Sequence, residues 1–168
     1  MMSDLVLSTF THEYIPKQEA HIKGVQHFAF SVMIYDQYGK VLLQRRAFSK
    51  YYSGGLWCNA CCGHPVRVDD ITSISEEAEN HLQEEKEVIT SLTYKSTYRY
   101  NFHCSDLIEN EVDSIFEGIC SNETIKPNID ETNDYKWLSM DEYRQGIHKN
   151  LGRYTECFKY IVDNIYFC

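Results

Sequence analysis

The strongest hydrophobic signal in the chain is residues 27–35, H-F-A-F-S-V-M-I-Y, a β-branched and aromatic run that predicts a buried strand. The polar turn D-Q-Y-G-K carries Gly39, and V-L-L-Q-R-R over 41–46 predicts the returning strand of a hairpin. Upstream, residues 1–26 show no strong periodicity and are expected to approach the core as an extended arm. Gly54 and Gly55 break the chain before W-C-N-A-C-C-G-H-P at 57–65.

Ser73, with Glu76 three residues later, has the form of a capping box and predicts a helix over about 74–88, with Ala78, Leu82 and Val88 or Ile89 on one side. Glu84 and Glu85 stand near its C-terminal end, where the helix dipole disfavours them, so a positive partner is expected to offset them. Residues 92–104 alternate as a strand, and 110–120 predict another, with Ile108 and Glu109 leading into it. A polar loop over 121–134 precedes a short strand, Y-K-W-L, and Ser139 with Glu142 repeats the capping-box spacing before a short helix. The last segment, about 151–166, places Leu151, Tyr154, Phe158, Ile161 and Ile165 on one helical face. No internal repeat or linker divides the chain. The expected fold is α/β (α+β): one domain over 1–168, a mixed β-sheet sandwiched by helices.

Composition supports a single closed core, with 168 residues and 43% apolar content. No stretch approaches the roughly 20 apolar residues that span a bilayer. The opening M-M-S-D-L-V-L-S-T-F lacks a basic region and a long apolar run, so a soluble cytoplasmic protein is expected. Seven cysteines, an odd number with Cys61 and Cys62 adjacent, point to reduced thiols rather than a disulfide framework. The net charge of -9 argues against nucleic acid or an anionic membrane as partner. A small anionic substrate fits if the few basic side chains gather where it binds.

Cys58-x-x-Cys61 is half a zinc ribbon or a redox pair, but Cys104, Cys120, Cys157 and Cys168 are scattered singly, so no second pair completes a structural zinc site. Cys58 and Cys61 are therefore expected as buried side chains in a strand. Cys62 differs because Gly63 and His64 follow it, in a setting where a thiol's pKa can be moved into a useful range. Singly, His21, His27 and His64 read as ordinary histidines. Glu109 and Glu111 add to them, because alternate positions of a strand share a face and both carboxylates converge. Three imidazoles and two carboxylates suit Mn²⁺, Mg²⁺ or Zn²⁺; the plain alternative is an exposed sheet face. Arg45, Arg46 and Lys50, with Lys17 and Lys23, are the candidates for binding an anion.

Taken together, H-F-A-F-S-V, L-L-Q-R-R-A-F-S-K, W-C-N-A-C-C-G-H-P and E-N-E-V, in this order over about residues 17–116, resemble the type I isopentenyl-diphosphate delta-isomerases of the Nudix superfamily. That resemblance implies a Nudix-like α/β/α sandwich and interconversion of isopentenyl and dimethylallyl diphosphate, a prenyl diphosphate substrate. It implies Cys62 as catalytic thiol and Glu111 as the opposing acid/base, with Tyr100 beside it. It further implies one divalent metal (Mn²⁺, Zn²⁺ or Mg²⁺) on His21, His27, His64, Glu109 and Glu111, and a diphosphate-bound Mg²⁺ helped by Glu85. Lys17, Arg46 and Lys50 would contact the diphosphate. The chain departs from the family at Asn80 and His81, where an Arg pair is usual, and at Glu87, where a Gly ends the helix. It departs again at Cys157, the position of a Trp, with Tyr154 or Phe158 as the neighbouring aromatic. A Nudix hydrolase of a nucleoside or prenyl diphosphate and a non-catalytic metal-binding relative are the other readings of these residues.

Overall fold

In the computed structural model, which describes residues 4–50, 53–121, 125–147 and 149–165, two long strands run side by side through the centre. They are β3 (His27–Tyr35) and β8 (Leu107–Ile119), paired in parallel from His27 opposite Glu111 to Tyr35 opposite Ile119. On the far side of β8 lies β7 (Thr93–Cys104), antiparallel to it. On the other side, β3 pairs with β4 (Val41–Arg46) at its end and with β6 (Cys61–Gly63) along its middle. Strand β4 is flanked in turn by β5 (Trp57–Asn59) and β9 (Thr132–Leu138), completing a mixed seven-stranded sheet.

Alternation along the strands sorts the core into two layers. Phe30, Val32, Ile34 and Leu42 meet Ile74, Ala78 and Leu82 of α2 (Ile71–Lys86). Met33, Val41, Leu43 and Ile115 meet Tyr143 of α3 (Met140–Ile147) and Phe158, Ile161 and Val162 of α4 (Glu156–Ile165). Burying one such side chain stabilises by about 1.5–3 kcal/mol. The helices thus cover both faces, which is the sandwich expected from the interleaved pattern. Cys58 and Cys61 are buried strand residues, also as expected.

Three local readings are corrected. The N-terminal arm is not merely extended: β1 (Leu5–Leu7) pairs with β2 (Tyr14–Pro16), and α1 (Lys17–Lys23) buries Ala20 and His21. These elements are too short to show a period in sequence, and α1 is closed by Gly24 in the left-handed conformation rather than by any apolar run. Helix α2 begins three residues early because Asp70 is its N-cap, accepting from the Ser73 N–H at 2.9 Å, while the Ser73 hydroxyl sits 3.3 Å from the Asp70 N–H. At its other end Glu87 takes the left-handed position, φ 53°. Helix α4 starts only at Glu156, because Thr155 caps it, Oγ1 accepting from the Phe158 N–H at 3.2 Å. Tyr154 is extended before it and bridges to Trp57, so it is off the helical face. The Leu151 side chain, residue 166 and Cys168 lie outside the described residues.

The Ser139 and Glu142 capping box is present in both directions, at 3.1 and 2.8 Å. The positive partners of Glu85 are Lys86 at 3.6 Å and His81 at 3.2 Å. Among the described residues, no helix is long and apolar enough to cross a membrane.

Candidate active site

Glu111 sits at the centre of the sheet, and its strand neighbours bring the chemistry to it. The register puts His27 of β3 opposite it on one side and Tyr100 of β7 on the other. His64, one residue past β6, and His21, on α1, complete the surround. Their Nε2 atoms lie 3.2 Å (His27), 3.1 Å (His64) and 3.8 Å (His21) from Glu111 Oε1. Burial works against the Glu111 charge, but the surrounding His21, His27 and His64 rings outweigh it and hold the carboxyl well below its usual range. Burial pushes His64 down to about 4, so its ring is neutral.

These residues fit a divalent cation. One ligand atom from each of His21, His27, His64 and Glu111 lies within 4.8 Å of all the others. His27 Nδ1 donates to the Val25 carbonyl at 2.8 Å, which leaves Nε2 as a lone pair aimed at a carboxylate oxygen. Two acceptors facing each other at that distance call for a cation or a proton between them. Imidazole nitrogen with carboxylate oxygen suits zinc, manganese or magnesium. Glu109 lies in the wall of the same cavity but outside this four-atom group.

Cys62 reaches the cavity from β6. Its Sγ lies 3.6 Å from Ser31 Oγ and, as a thiol, donates to Asn59 Oδ1 at 3.3 Å. Asn59 is itself held by two bonds from Nδ2 to the Val32 and Cys61 carbonyls. A hydrogen bond from Cys157, opposed by burial and aided by Ser31 and Arg46, brings the Cys62 pKa down to about 7. Burial drives Cys58 up to about 12 and Cys61 well above the usual thiol value. Of the three neighbouring thiols, Cys62 is the one poised to exchange a proton.

Across the cavity, Tyr100 Oη lies 2.7 Å from Glu111 Oε2, 2.9 Å from Asp113 Oδ2 and 3.4 Å from Cys157 Sγ. Burial and the Glu111 charge raise Asp113 well above the carboxylate range, and its Oδ2 also accepts from Ser31 Oγ at 2.8 Å. Sequence reading missed Asp113. Its signal was available, because 109, 111 and 113 are alternate positions of one strand and share a face.

The cavity, about 350 Å³, is lined by Lys17, Arg46 and Lys50 together with Cys62, Tyr100 and Glu111. Lys17 is lowered by burial and by the neighbouring Arg46, and Lys50 is ion-paired with Glu131. Glu85 and His81 lie in the same wall. Two basic candidates are not brought in. Lys23 pairs with Glu19 on the surface, and Arg45 donates to the Gly55 carbonyl and covers the Phe48 ring. Nor do Tyr154 and Phe158 line the cavity, since both pack in the core layer under α4; Cys157 does line it.

The NUDIX domain family model matches residues 25–157. Over 150 residues the chain is 39% identical to Isopentenyl-diphosphate Delta-isomerase 2 of Photorhabdus laumondii, covering 89% of this chain and 82% of that protein. It is 34% identical over 175 residues to Isopentenyl-diphosphate Delta-isomerase 2 of Aromatoleum aromaticum, covering 99% and 89%. Among solved structures, a Deinococcus radiodurans protein superposes with a TM-score of 0.72 at 16% identity, covering 96% of this chain and 98% of that one. The MutT protein of Methanosarcina mazei superposes with a TM-score of 0.56 at 16% identity, covering 74% and 91%. These two likenesses are of fold.

Proposed function

The chain belongs to the NUDIX domain family and, within it, to the isopentenyl-diphosphate Delta-isomerases, and from that premise we propose how its cavity interconverts isopentenyl and dimethylallyl diphosphate. The observation that carries the reading is the composition of one cavity wall. A thiol brought down to about 7 and a Tyr100–Glu111 pair share it with Lys17, Arg46 and Lys50.

The reaction moves a double bond by one position. A proton is added to the terminal alkene carbon, leaving a tertiary cation, and a proton is then removed from the carbon on the diphosphate side. An unactivated alkene is a very weak base, so a well-placed acid is needed on one side and a base on the other. Cys62 and Glu111, with Tyr100 bonded to the latter, are the two groups we assign to these transfers. Lys17, Arg46 and Lys50 bind the diphosphate and fix which alkene carbon meets the acid. Phe30 and Tyr100 line the described part of the cavity wall, and we assign these rings to the place of the usual Trp.

His21, His27, His64 and Glu111, with Glu109 nearby, would hold a divalent cation (Mn²⁺, Zn²⁺ or Mg²⁺), whose positive charge would keep Glu111 ionised and in place. Glu85 is the residue we assign to a Mg²⁺ that accompanies the diphosphate.

The test is incubation with isopentenyl diphosphate and Mg²⁺, followed by proton and phosphorus NMR. Dimethylallyl diphosphate with both phosphates retained is expected. Release of inorganic phosphate without isomer would instead identify a hydrolase.

A further inference from the structure

A second group of metal-ligating side chains lies apart from the three histidines. Cys61 of β6, fully buried, places Sγ 3.8 Å from His81 Nδ1, and His81 Nδ1 lies 3.2 Å from Glu85 Oε1, one turn further along α2. All three ligand atoms are within 4.8 Å of one another. With zinc–ligand bonds of about 2.3 Å to sulfur and about 2.0–2.1 Å to nitrogen or oxygen, a tetrahedral site requires about 3.6 Å between sulfur and nitrogen and about 3.3 Å between nitrogen and oxygen. The observed spacings match both within a few tenths of an ångström. We infer that Cys61, His81 and Glu85 form a mixed-ligand site for a zinc-class cation in the wall of the cavity.

The surroundings hold the ligands in place. The second oxygen of Glu85 is 3.6 Å from Nζ of Lys86, a fully buried lysine that donates to Thr132 Oγ1 at 2.8 Å. The carboxylate is thereby oriented from behind, as the ligands of metal sites generally are. The His81 ring meets Phe30 edge-on, centroids 5.6 Å apart, which limits its rotation. Cys61 lies behind the wall, whereas His81 and Glu85 line it, so the fourth position faces the cavity. A thiolate in the set selects zinc-class ions over magnesium. Cys61 loses its thiol proton to solvent as the sulfur–metal bond forms.

This site takes Glu85 from the Mg²⁺ assigned to it above and gives it to a zinc-class ion, and it rests on that reading only for what the fourth position meets. It also gives His81 a positive task at a place where the family's usual Arg would be a fixed cation.

The experiment is titration of the chelator-treated full chain with Co²⁺ alone, without any diphosphate. It is read by near-ultraviolet sulfur-to-cobalt charge-transfer absorption and by native mass spectrometry. Two cobalt ions per chain and a charge-transfer band are expected. Cys61→Ser should lose the band and one ion, and Cys62→Ser should keep both. His81→Gln, a half-exposed change that spares the core, should weaken the second binding event at least about tenfold. Glu111→Gln should lose the other ion and keep the band, which separates this site from the one assigned to catalysis. One ion without a band, or a band that disappears with Cys62→Ser and survives Cys61→Ser, would overturn the inference. Should Cys61→Ser fail to fold, an unweakened second binding event in His81→Gln would overturn it equally.

Discussion

The phenol of Tyr100 lies 2.7 Å from Oε2 of Glu111, the carboxylate oxygen other than the one faced by His21, His27 and His64. One carboxylate is thus divided between two tasks, a metal-facing oxygen and a phenol-facing one. Tyr100→Phe removes the second partner and leaves the first. A buried hydrogen bond to a charged group is worth about 1.5–3 kcal/mol, so kcat should fall about 10- to 100-fold with little change in KM. Steady-state kinetics of the variant check this, and an unchanged kcat would detach Tyr100 from the chemistry.

Acid should destabilise the metal-free protein earlier than ordinary carboxylates would. The folded pKa of His64, about 4, lies below its ordinary 6.5, so the unfolded chain takes up a proton in that interval and the folded chain does not. Stability is therefore complete above about pH 6.5 and is lost as pH falls toward 4. Glu111, held low in the fold, adds a loss of the same sign below its ordinary 4.5. Between pH 7.5 and 5 the His64 contribution is about 2 kcal/mol. Urea unfolding of chelator-treated protein should show this drop, and His64→Gln should flatten it.

Metal addition should act in the opposite direction. At a hundredfold excess over the dissociation constant, binding stabilises by about 2.7 kcal/mol, which for a chain of this size corresponds to several degrees in Tm. Thermal melts with Mn²⁺ should show the rise in the unmodified protein and little of it in Glu111→Gln.

Cys62 should alkylate with iodoacetamide along a pH curve centred near 7 in chelator-treated protein, as followed by peptide mass spectrometry. The first cause of its lowered pKa is the hydrogen bond from Cys157. Cys157→Val should move the midpoint up toward the ordinary thiol value of 9.0. An unmoved midpoint would mean that Cys157 does not govern the thiol.

Glu87→Gly should stabilise the protein. A non-glycine residue at φ 53° costs about 1–2 kcal/mol relative to glycine's freedom there. The exposed ion pair with Lys126 that would be lost is worth less. A rise in Tm is expected, and a fall would show that the Glu87 side chain does more than close α2.

The distribution of apolar positions carried the central strands and both helical layers, because β3 is buried along nearly its whole length and reads as a continuous apolar run. It did not carry α1, where a seven-residue helix is set by packing and by Gly24. Nor did it carry the start of α4, where a Thr155 cap breaks an apolar stripe that continues through Tyr154. Within the site, the histidines and Glu111 were legible once strand geometry put alternate residues on one face. Asp113 was overlooked because the chain offered the pair Glu109 and Glu111 first. The pairing of Cys61 with His81 was not legible at all, since it depends on how α2 lies against β6.

The most direct test of the central assignment is proton NMR of the protein with isopentenyl diphosphate and Mg²⁺ in D₂O, run beside a correctly folded Cys62→Ala variant. The account predicts dimethylallyl diphosphate carrying solvent deuterium in the unmodified protein and a loss of at least about 100-fold in the variant, the usual scale of a removed proton-transfer group. Equal turnover and equal deuterium incorporation in the two proteins would contradict it.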